Sequence, residues 1–484
     1  MNGADLWLDA VLDEGSFRSW DAPLPAPVDP EYRAALARAT ERAGADEAVR
    51  TGAGAVHGRS VAVIVSEFGF LGGSIGVVTA DRIVAAFERA RREGLPVIAG
   101  LASGGTRMQE GAAAFLTMRT ITAAVREFRA AGLPYLSHLR HPTTGGVYAS
   151  WASLAHDVSA EPHALVGLLG PRVVTALAAC GGATPIPEGV QTAENLLSHE
   201  RIDAVVDASG FRERAARLLG LFDTSATDDA IGSGSDLQDA PAIEPDADWA
   251  AVRAAAQPGR PALPELIATC DEFVPRRGGG GELVAGWART GGTSFLLVGQ
   301  DRTRGVPTTP ADIATARRAM ALAVSLGLPI VTVADTSGAE LSRAAEEAGL
   351  AAEIAATLAA PGAQPVPSVA LLLGEGTGAA AIALCGTDAI VAVQEAWLAP
   401  LPLAGAAALL SEDPGDPDDV RERIARRQRI GAPSLYADGL IDGIATDRGV
   451  SIARRLDGSR ARGLAESVLA LAVAVRARCA AVVG

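Results

Sequence analysis

The sequence contains no lysine, so all 42 of its basic residues are arginine. That absence excludes a Schiff base, the P-loop lysine that reaches nucleotide phosphates, and the lysine to which biotin or lipoyl groups are attached. Cysteine is scarce. Cys180, Cys270, Cys385 and Cys479 stand far apart with no C-x-x-C pair. A zinc ribbon is therefore excluded, no metal ligand set is expected, and each cysteine reads as a small buried residue. No run of about 18 apolar residues occurs, so no membrane span is expected. The opening Met1-Asn2-Gly3-Ala4-Asp5 has no basic segment, so no secretory signal and a cytoplasmic location are expected. All six histidines (His57, His138, His141, His156, His163 and His199) fall in the first half, which leaves the second half without imidazole chemistry. Positive charge is in deficit. A net charge of −15 argues against nucleic acid and anionic membrane as partners. A phosphorylated ligand held by a few local arginines remains compatible with it.

What is present points to a folded protein of more than one domain. The chain has 484 residues, 49% of them apolar, with mean hydropathy +0.22. After a helical lead-in to about residue 50, the pattern predicts a strand over 61–68 and a helix over 80–93 closed by Gly94. A strand over 97–102, a helix over 110–131 and a strand over 133–139 follow. Residues 223–262 are acidic and rich in Pro, Gly and Ser, and read as a linker. The rhythm then restarts, with strands over 294–298, 328–334 and 369–373 and helices over 311–326 and 341–358. Strand–helix–strand alternation implies an α/β fold with parallel sheets. The expected domains are 1–222 and 263–484.

The two halves repeat each other. Gly94-Leu95-Pro96-Val97-Ile98 matches Gly327-Leu328-Pro329-Ile330-Val331. Ser103-Gly104-Gly105 matches Ser337-Gly338, and Thr144-Gly145-Gly146 matches Thr377-Gly378-Ala379. Gly104 and Gly145 are 41 apart, and Gly338 and Gly378 are 40 apart. Each turn ends a strand in small residues without titratable groups. Such turns can be tight connections only, or can stabilise an oxyanion through main-chain amides. Their duplication favours the second role, with two developing negative charges.

Other candidates compete. Gly72-Gly73-Ser74-Ile75-Gly76 fits the G-x-S-x-G nucleophile elbow, but 54 glycines make chance matches common, and Val77-Val78-Thr79 follows where a helix should start at once. Arg107, Arg119, Arg172, Arg302 and Arg304 lie near the turns and can hold a phosphate or pair with carboxylates. His138 and His141 flank the strand before Gly145 and read as structural.

Phe70-Leu71-Gly72-Gly73-Ser74-Ile75-Gly76, Ser103-Gly104-Gly105-Thr106-Arg107-Met108-Gln109-Glu110 and Pro142-Thr143-Thr144-Gly145-Gly146-Val147 resemble the β subunit of biotin-dependent acyl-CoA carboxylase carboxyltransferases. So do Glu161-Pro162-His163-Ala164-Leu165-Val166-Gly167 and Gly170-Pro171-Arg172-Val173. Asp335-Thr336-Ser337-Gly338-Ala339 and Gly374-Glu375-Gly376-Thr377-Gly378 resemble the α subunit, so the whole is similar to a fused β–α chain of actinobacterial type. The resemblance implies two tandem crotonase-like domains and an obligate homo-oligomer, a dimer or a hexamer. It implies transfer of a carboxyl group from carboxybiotin, on a separate carrier protein, to acetyl-CoA or propionyl-CoA. Gly145 and Gly146 would then hold the thioester oxygen, and Gly378 and Ala379 the biotin carbonyl. Ser103, Gly104, Gly105, Arg107, Thr144, Gly338 and Thr377 would bind substrate. A biotin carboxylase and a biotin carboxyl carrier protein are the implied partners. A biotin-independent decarboxylase of the same fold, a serine hydrolase using Ser74 and a non-catalytic assembly subunit stay open at this point.

Overall fold

The computed structural model describes residues 2–22, 30–168, 170, 186–223, 246–277, 281–360, 365–410, 416–446 and 449–483. Arg172, Cys180 and residues 224–245 of the expected linker lie outside them. The chain divides into two compact units, Met1–Phe222 and Asp223–Gly484.

In the first unit, strands β1 (Arg18–Ser19), β2 (Val49–Val56), β3 (Arg59–Ser66), β4 (Val97–Ser103), β5 (Tyr135–Thr144), β6 (Asp157–Ala160), β7 (Val166–Gly167) and β8 (Ala204–Val205) form one sheet. Its order is β1-β2-β3-β4-β5-β6-β8, with β7 beside the end of β5. From β3 onward the pairings are parallel. Helices α1 (Gly3–Val11), α2 (Pro30–Ala43), α3 (Val77–Glu93) and α4 (Gly111–Ala130) precede or connect these strands. Every residue of β4 is buried, as a parallel strand covered on both faces requires. Helix α3 ends on Gly94, whose φ of +66° closes the last turn in the left-handed region.

The second unit repeats the plan with β9 (Glu272–Pro275), β10 (Leu283–Thr290), β11 (Thr293–Gln300), β12 (Ile330–Thr336), β13 (Ser368–Thr377), β14 (Ala389–Val393), β15 (Trp397–Ala399), β16 (Gly443–Thr446) and β17 (Gly449–Ile452). The order is β17-β16-β14-β13-β12-β11-β10-β9, with β15 beside the end of β13. The correspondence is close. β12 lies 233 residues after β4 at both ends, and β13 lies 233 after β5. Each pair carries the same irregularity, placing Ser103 opposite Thr143 and Thr336 opposite Gly376. The opening hairpins match too. The β2–β3 turn at His57-Gly58 is held by Asp13, and the β10–β11 turn at Gly291-Gly292 by Asp271.

Three expectations need correction. The helix expected over 341–358 is two helices, Arg343–Glu347 and Leu350–Ala359, because Gly349 takes φ +79° between them. The range read as linker contains a helix, Ala247–Ala255. Its Asp248 accepts the Gly431 N–H and the Ser434 hydroxyl, which ties this segment to the second unit. Helix α3 starts directly after Gly76, so the delay expected at Val77-Val78-Thr79 does not occur.

Candidate active site

In the first unit, β4 ends in a turn whose amides are already used. The Gly104 N–H donates to the Gly72 carbonyl at 2.8 Å, and the Gly105 N–H to Ser103 Oγ at 3.0 Å. Ser103 Oγ in turn donates to the Gly73 carbonyl at 2.6 Å. Neither glycine offers an N–H to a ligand. Their function is different: Gly105, at φ +106°, lets the β5 turn approach closely. A Cβ on Gly145 would lie 2.8 Å from the Gly105 Cα. The turn after β4 is therefore the floor on which the turn after β5 rests.

That second turn carries the donors. Gly145, at φ +68°, was expected to share the thioester oxygen with Gly146, but its N–H donates to the Gly167 carbonyl at 3.2 Å. The next two N–H groups, of Gly146 and Val147, find no acceptor among the described residues. Gly146 is half-buried and Val147 is buried. Two successive amides of this kind can stabilise a developing oxyanion. Met118 of α4 lies against Gly146, and from there Met118, Arg119 and Arg126 line an open cleft of about 720 Å³. Arg119 is exposed and has no partner among the described residues.

The second unit repeats the arrangement, with its register clarified. Gly338, at φ +127°, donates its N–H to Thr336 Oγ1 at 3.1 Å, as Gly105 does to Ser103. Thr308 bridges Ala339 as Ile75 bridges Thr106. Gly338 therefore corresponds to Gly105, not to Gly104, and Thr336 to Ser103. With that one-residue correction the spacing is 40 in both halves, Gly105 to Gly145 and Gly338 to Gly378. Gly378, at φ +66°, opens the helix Gly378–Ala383, whose first-turn N–H groups have no acceptor within the helix. The turns are less crowded here. A Cβ on Gly378 would meet only the Pro400 carbonyl at 3.6 Å, and one on Gly338 only the Thr377 carbonyl at 4.0 Å.

Arg107 is a correction. It is 1% exposed, ion-paired with Glu47, and bonded to Tyr32 Oη at 3.1 Å, the Ser74 carbonyl at 2.9 Å and Thr79 Oγ1 at 3.1 Å. A buried arginine so engaged ties the Ser74 turn to the core and cannot reach a ligand phosphate. The Thr144 hydroxyl donates to the Ser103 carbonyl at 3.3 Å, and that of Thr377 to Glu375 at 3.0 Å, so both brace their turns. Ser74 Oγ donates to the Leu71 carbonyl at 2.8 Å, and among the described residues no histidine or carboxylate bonds to it. It lacks the base a nucleophilic serine needs. Arg302 pairs with Glu375 at 2.7 Å, and Arg304 with Asp301 at 3.4 Å. His138 is buried, stacked on Phe211, and accepts the Trp7 indole N–H while facing the Val206 carbonyl. Burial pushes its pKa down to about 4, so the ring is neutral. His141 Nδ1 accepts from the Leu165 N–H.

Two carboxyl groups were given no role by the sequence. Glu282 is 1% exposed and accepts from Thr308 Oγ1 at 2.5 Å and Thr336 Oγ1 at 2.6 Å. Burial pushes its carboxyl up to about 7 against the pull of those hydroxyls. Glu375, raised by burial and opposed by Arg302, stands two residues before Thr377. Only proximity to the repeat pointed to them, and that is true of many residues.

Residues 8–192 match the carboxyl transferase domain, and residues 246–470 the acetyl co-enzyme A carboxylase carboxyltransferase-like family. Over 466 residues the chain is 44% identical to the probable biotin-dependent acyl-coenzyme A carboxylase beta3 subunit of Mycobacterium tuberculosis, spanning 93% of this chain and 91% of that protein. It is 33% identical over 482 residues to the acetyl-coenzyme A carboxylase carboxyl transferase subunits beta/alpha of Salinispora arenicola, spanning 92% and 83%. Among solved structures it resembles the transcarboxylase 12S hexamer with hydrolysed methylmalonyl-coenzyme A bound, at TM-score 0.73 and 21% identity over 96% of this chain and 88% of that one. That likeness establishes the fold: two tandem crotonase-like domains. The chain belongs to the biotin-dependent acyl-CoA carboxylase carboxyltransferase family.

Proposed function

We propose that this chain moves a carboxyl group from carboxybiotin, borne on a separate carrier protein, to acetyl-CoA to give malonyl-CoA, with propionyl-CoA as the competing acceptor. The observation that carries the reading is the pair of N–H groups at Gly146 and Val147 with no acceptor among the described residues, in a turn whose counterpart in the second unit opens a helix at Gly378 and Ala379. The first-unit turn takes the thioester oxygen of the acyl-CoA. Its amides stabilise the enolate that forms when the α-carbon loses its proton. Arg119, beside Met118 on the open cleft, holds a phosphate of the coenzyme.

The second-unit turn takes the biotin carbonyl through Gly378 and Ala379. The open space beside Gly338 and Gly378 fits a flat cyclic urea, since a Cβ at either position would meet nothing within 3.5 Å. Carboxybiotin supplies the carboxyl group itself. No lysine exists to attach biotin to this chain, which supports a separate biotin carboxyl carrier protein and biotin carboxylase as partners. A decarboxylase of the same fold needs one such turn, and the matched second turn favours transfer. The enzyme works as a cytoplasmic homo-oligomer, a dimer or a hexamer, in malonyl-CoA supply for fatty acid synthesis. The domain division proposed is the two units, Met1–Phe222 and Asp223–Gly484.

The test is carboxylation of acetyl-, propionyl- and butyryl-CoA with the carrier and biotin carboxylase supplied. Carboxylated product from acetyl-CoA with the highest kcat/KM is expected. A preference for butyryl-CoA would overturn the substrate assignment, and biotin-independent loss of CO2 from malonyl-CoA as the main activity would overturn the reaction.

A further inference from the structure

The two units brace their matched turns with different chemistry. In the first, Ser103 Oγ, which holds the Gly105 N–H, donates to a backbone carbonyl, that of Gly73. In the second, Thr336 Oγ1, which holds the Gly338 N–H, donates to the carboxyl of Glu282. The same Glu282 oxygen accepts from Thr308 Oγ1, and the Thr308 N–H donates to the Gly338 carbonyl at 3.3 Å. Both sides of Gly338 thus lead, through one threonine each, to one buried oxygen. Gln300 Nε2 donates to Thr308 Oγ1 at 3.1 Å and to the Ala380 carbonyl at 3.0 Å, which links the cluster to the helix that Gly378 opens.

We propose that Glu282 is a positioning residue for the second-unit turn, and that its ionised carboxylate, acting through Thr336 and Thr308, holds the Gly338 peptide beside Gly378. An ionised carboxylate accepts both hydroxyl protons and so turns a lone pair of Thr336 toward the Gly338 N–H. Protonation weakens that acceptor, frees the hydroxyls to rotate and loosens the turn. The charged groups around Glu282 are Asp335 on β12, itself paired with Arg260, Asp312 at the start of the helix Pro310–Ser325, and Arg304, which donates to the Gly281 carbonyl. Burial above all, and the two aspartates after it, oppose a charge on Glu282, so its ionisation falls where physiological pH can change it. The first unit, braced by a carbonyl, has no matching response.

The direct test is amide hydrogen exchange of the full-length chain at pH 6 and pH 8, with each rate divided by the intrinsic rate at that pH. The peptide containing Gly338 should lose about tenfold of its protection at pH 6, the worth of one hydrogen bond, while the peptide containing Gly105 stays constant. Glu282→Gln should abolish the pH step. Thr336→Val should lower protection at both pH values, and Thr336→Ser should restore it. Equal protection of the Gly338 peptide at both pH values in the wild type overturns the proposal, and that measurement needs no variant. So does a pH step that survives Glu282→Gln. The consequence for turnover rests on the biotin assignment above: Glu282→Gln should raise the KM for the biotin substrate about tenfold at pH 8 and leave that for acyl-CoA unchanged. If the exchange step appears but the KM for acyl-CoA moves instead, Glu282 keeps its positioning role and the assignment of ligands to turns is what fails.

Discussion

Replacing Gly145 by alanine should damage the enzyme far more than the matched replacement of Gly378. The two glycines have nearly the same backbone, at φ +68° and +66°, so left-handed strain costs both variants about 1 kcal/mol. They differ in what the added methyl group meets. At Gly145 it would lie 2.8 Å from the Gly105 Cα, a backbone atom whose own peptide is fixed by Ser103 Oγ and by the Ile75 N–H. At Gly378 it would meet only the Pro400 carbonyl at 3.6 Å, an ordinary contact. Overpacking against a fixed neighbour adds about 1–3 kcal/mol, so Gly145→Ala should lose about 2–4 kcal/mol and Gly378→Ala about 1 kcal/mol. The clash also shifts the Gly146 N–H away from the oxygen it serves. Loss of one oxyanion donor lowers kcat by about 10²–10³. Urea unfolding of the two variants, with steady-state carboxylation of acetyl-CoA, measures both effects. If Gly145→Ala were no less stable than Gly378→Ala and kept kcat within about twofold of wild type, the packing of the two turns and the donor role of Gly146 would both be refuted.

Other outcomes follow from single contacts. Arg119→Ala should raise the KM for acyl-CoA about tenfold with kcat unchanged, since one charge-assisted bond to a phosphate is lost, and a kcat-only effect would contradict this. Arg107→Ala should destabilise the chain by about 3–5 kcal/mol, because Glu47 is left buried without its partner, and a change in acyl-CoA affinity at unchanged stability would restore Arg107 as a ligand residue. Ser74→Ala should keep full carboxylation activity, and loss of activity in a folded Ser74→Ala enzyme would revive a nucleophilic serine. Glu282 also has a signature in stability. Its carboxyl is raised from 4.5 to about 7 in the folded chain, so the folded state binds the proton more tightly than the unfolded one. Its contribution is full below pH 4.5 and is lost as pH rises to about 7, by about 3 kcal/mol. Unfolding free energies across pH 5–8 should therefore fall less steeply in Glu282→Gln, and an identical slope would contradict the raised carboxyl.

The duplication was legible because strands and glycine turns leave residue types behind. Val97–Ser103 and Ile330–Thr336 could be matched by eye, and so could the turns after β5 and β13. What a repeat of residue types does not carry is the direction of each N–H. Gly104 looked like a donor from sequence, yet its hydrogen is spent on Gly72. Ser337 imitated Ser103 and shifted the match by one, because serine and threonine both accept the N–H two residues on and only geometry shows that Thr336 does so. Arg107 stood beside a glycine turn in sequence, but its side chain runs inward to Glu47, a partner 60 residues earlier. Glu282 was invisible for the same reason. Its partners Thr308 and Thr336 are brought to it by sheet pairing and not by spacing.

The division of labour between the two turns is tested most directly by ligand protection. Amide exchange would be followed on peptides covering 140–151 and 372–383, with acetyl-CoA or free biotin added separately. The N–H groups of Gly146 and Val147 should slow with acetyl-CoA alone, and those of Gly378 and Ala379 with biotin alone. Protection of the same turn by both ligands, or of each turn by the other's ligand, would contradict the assignment.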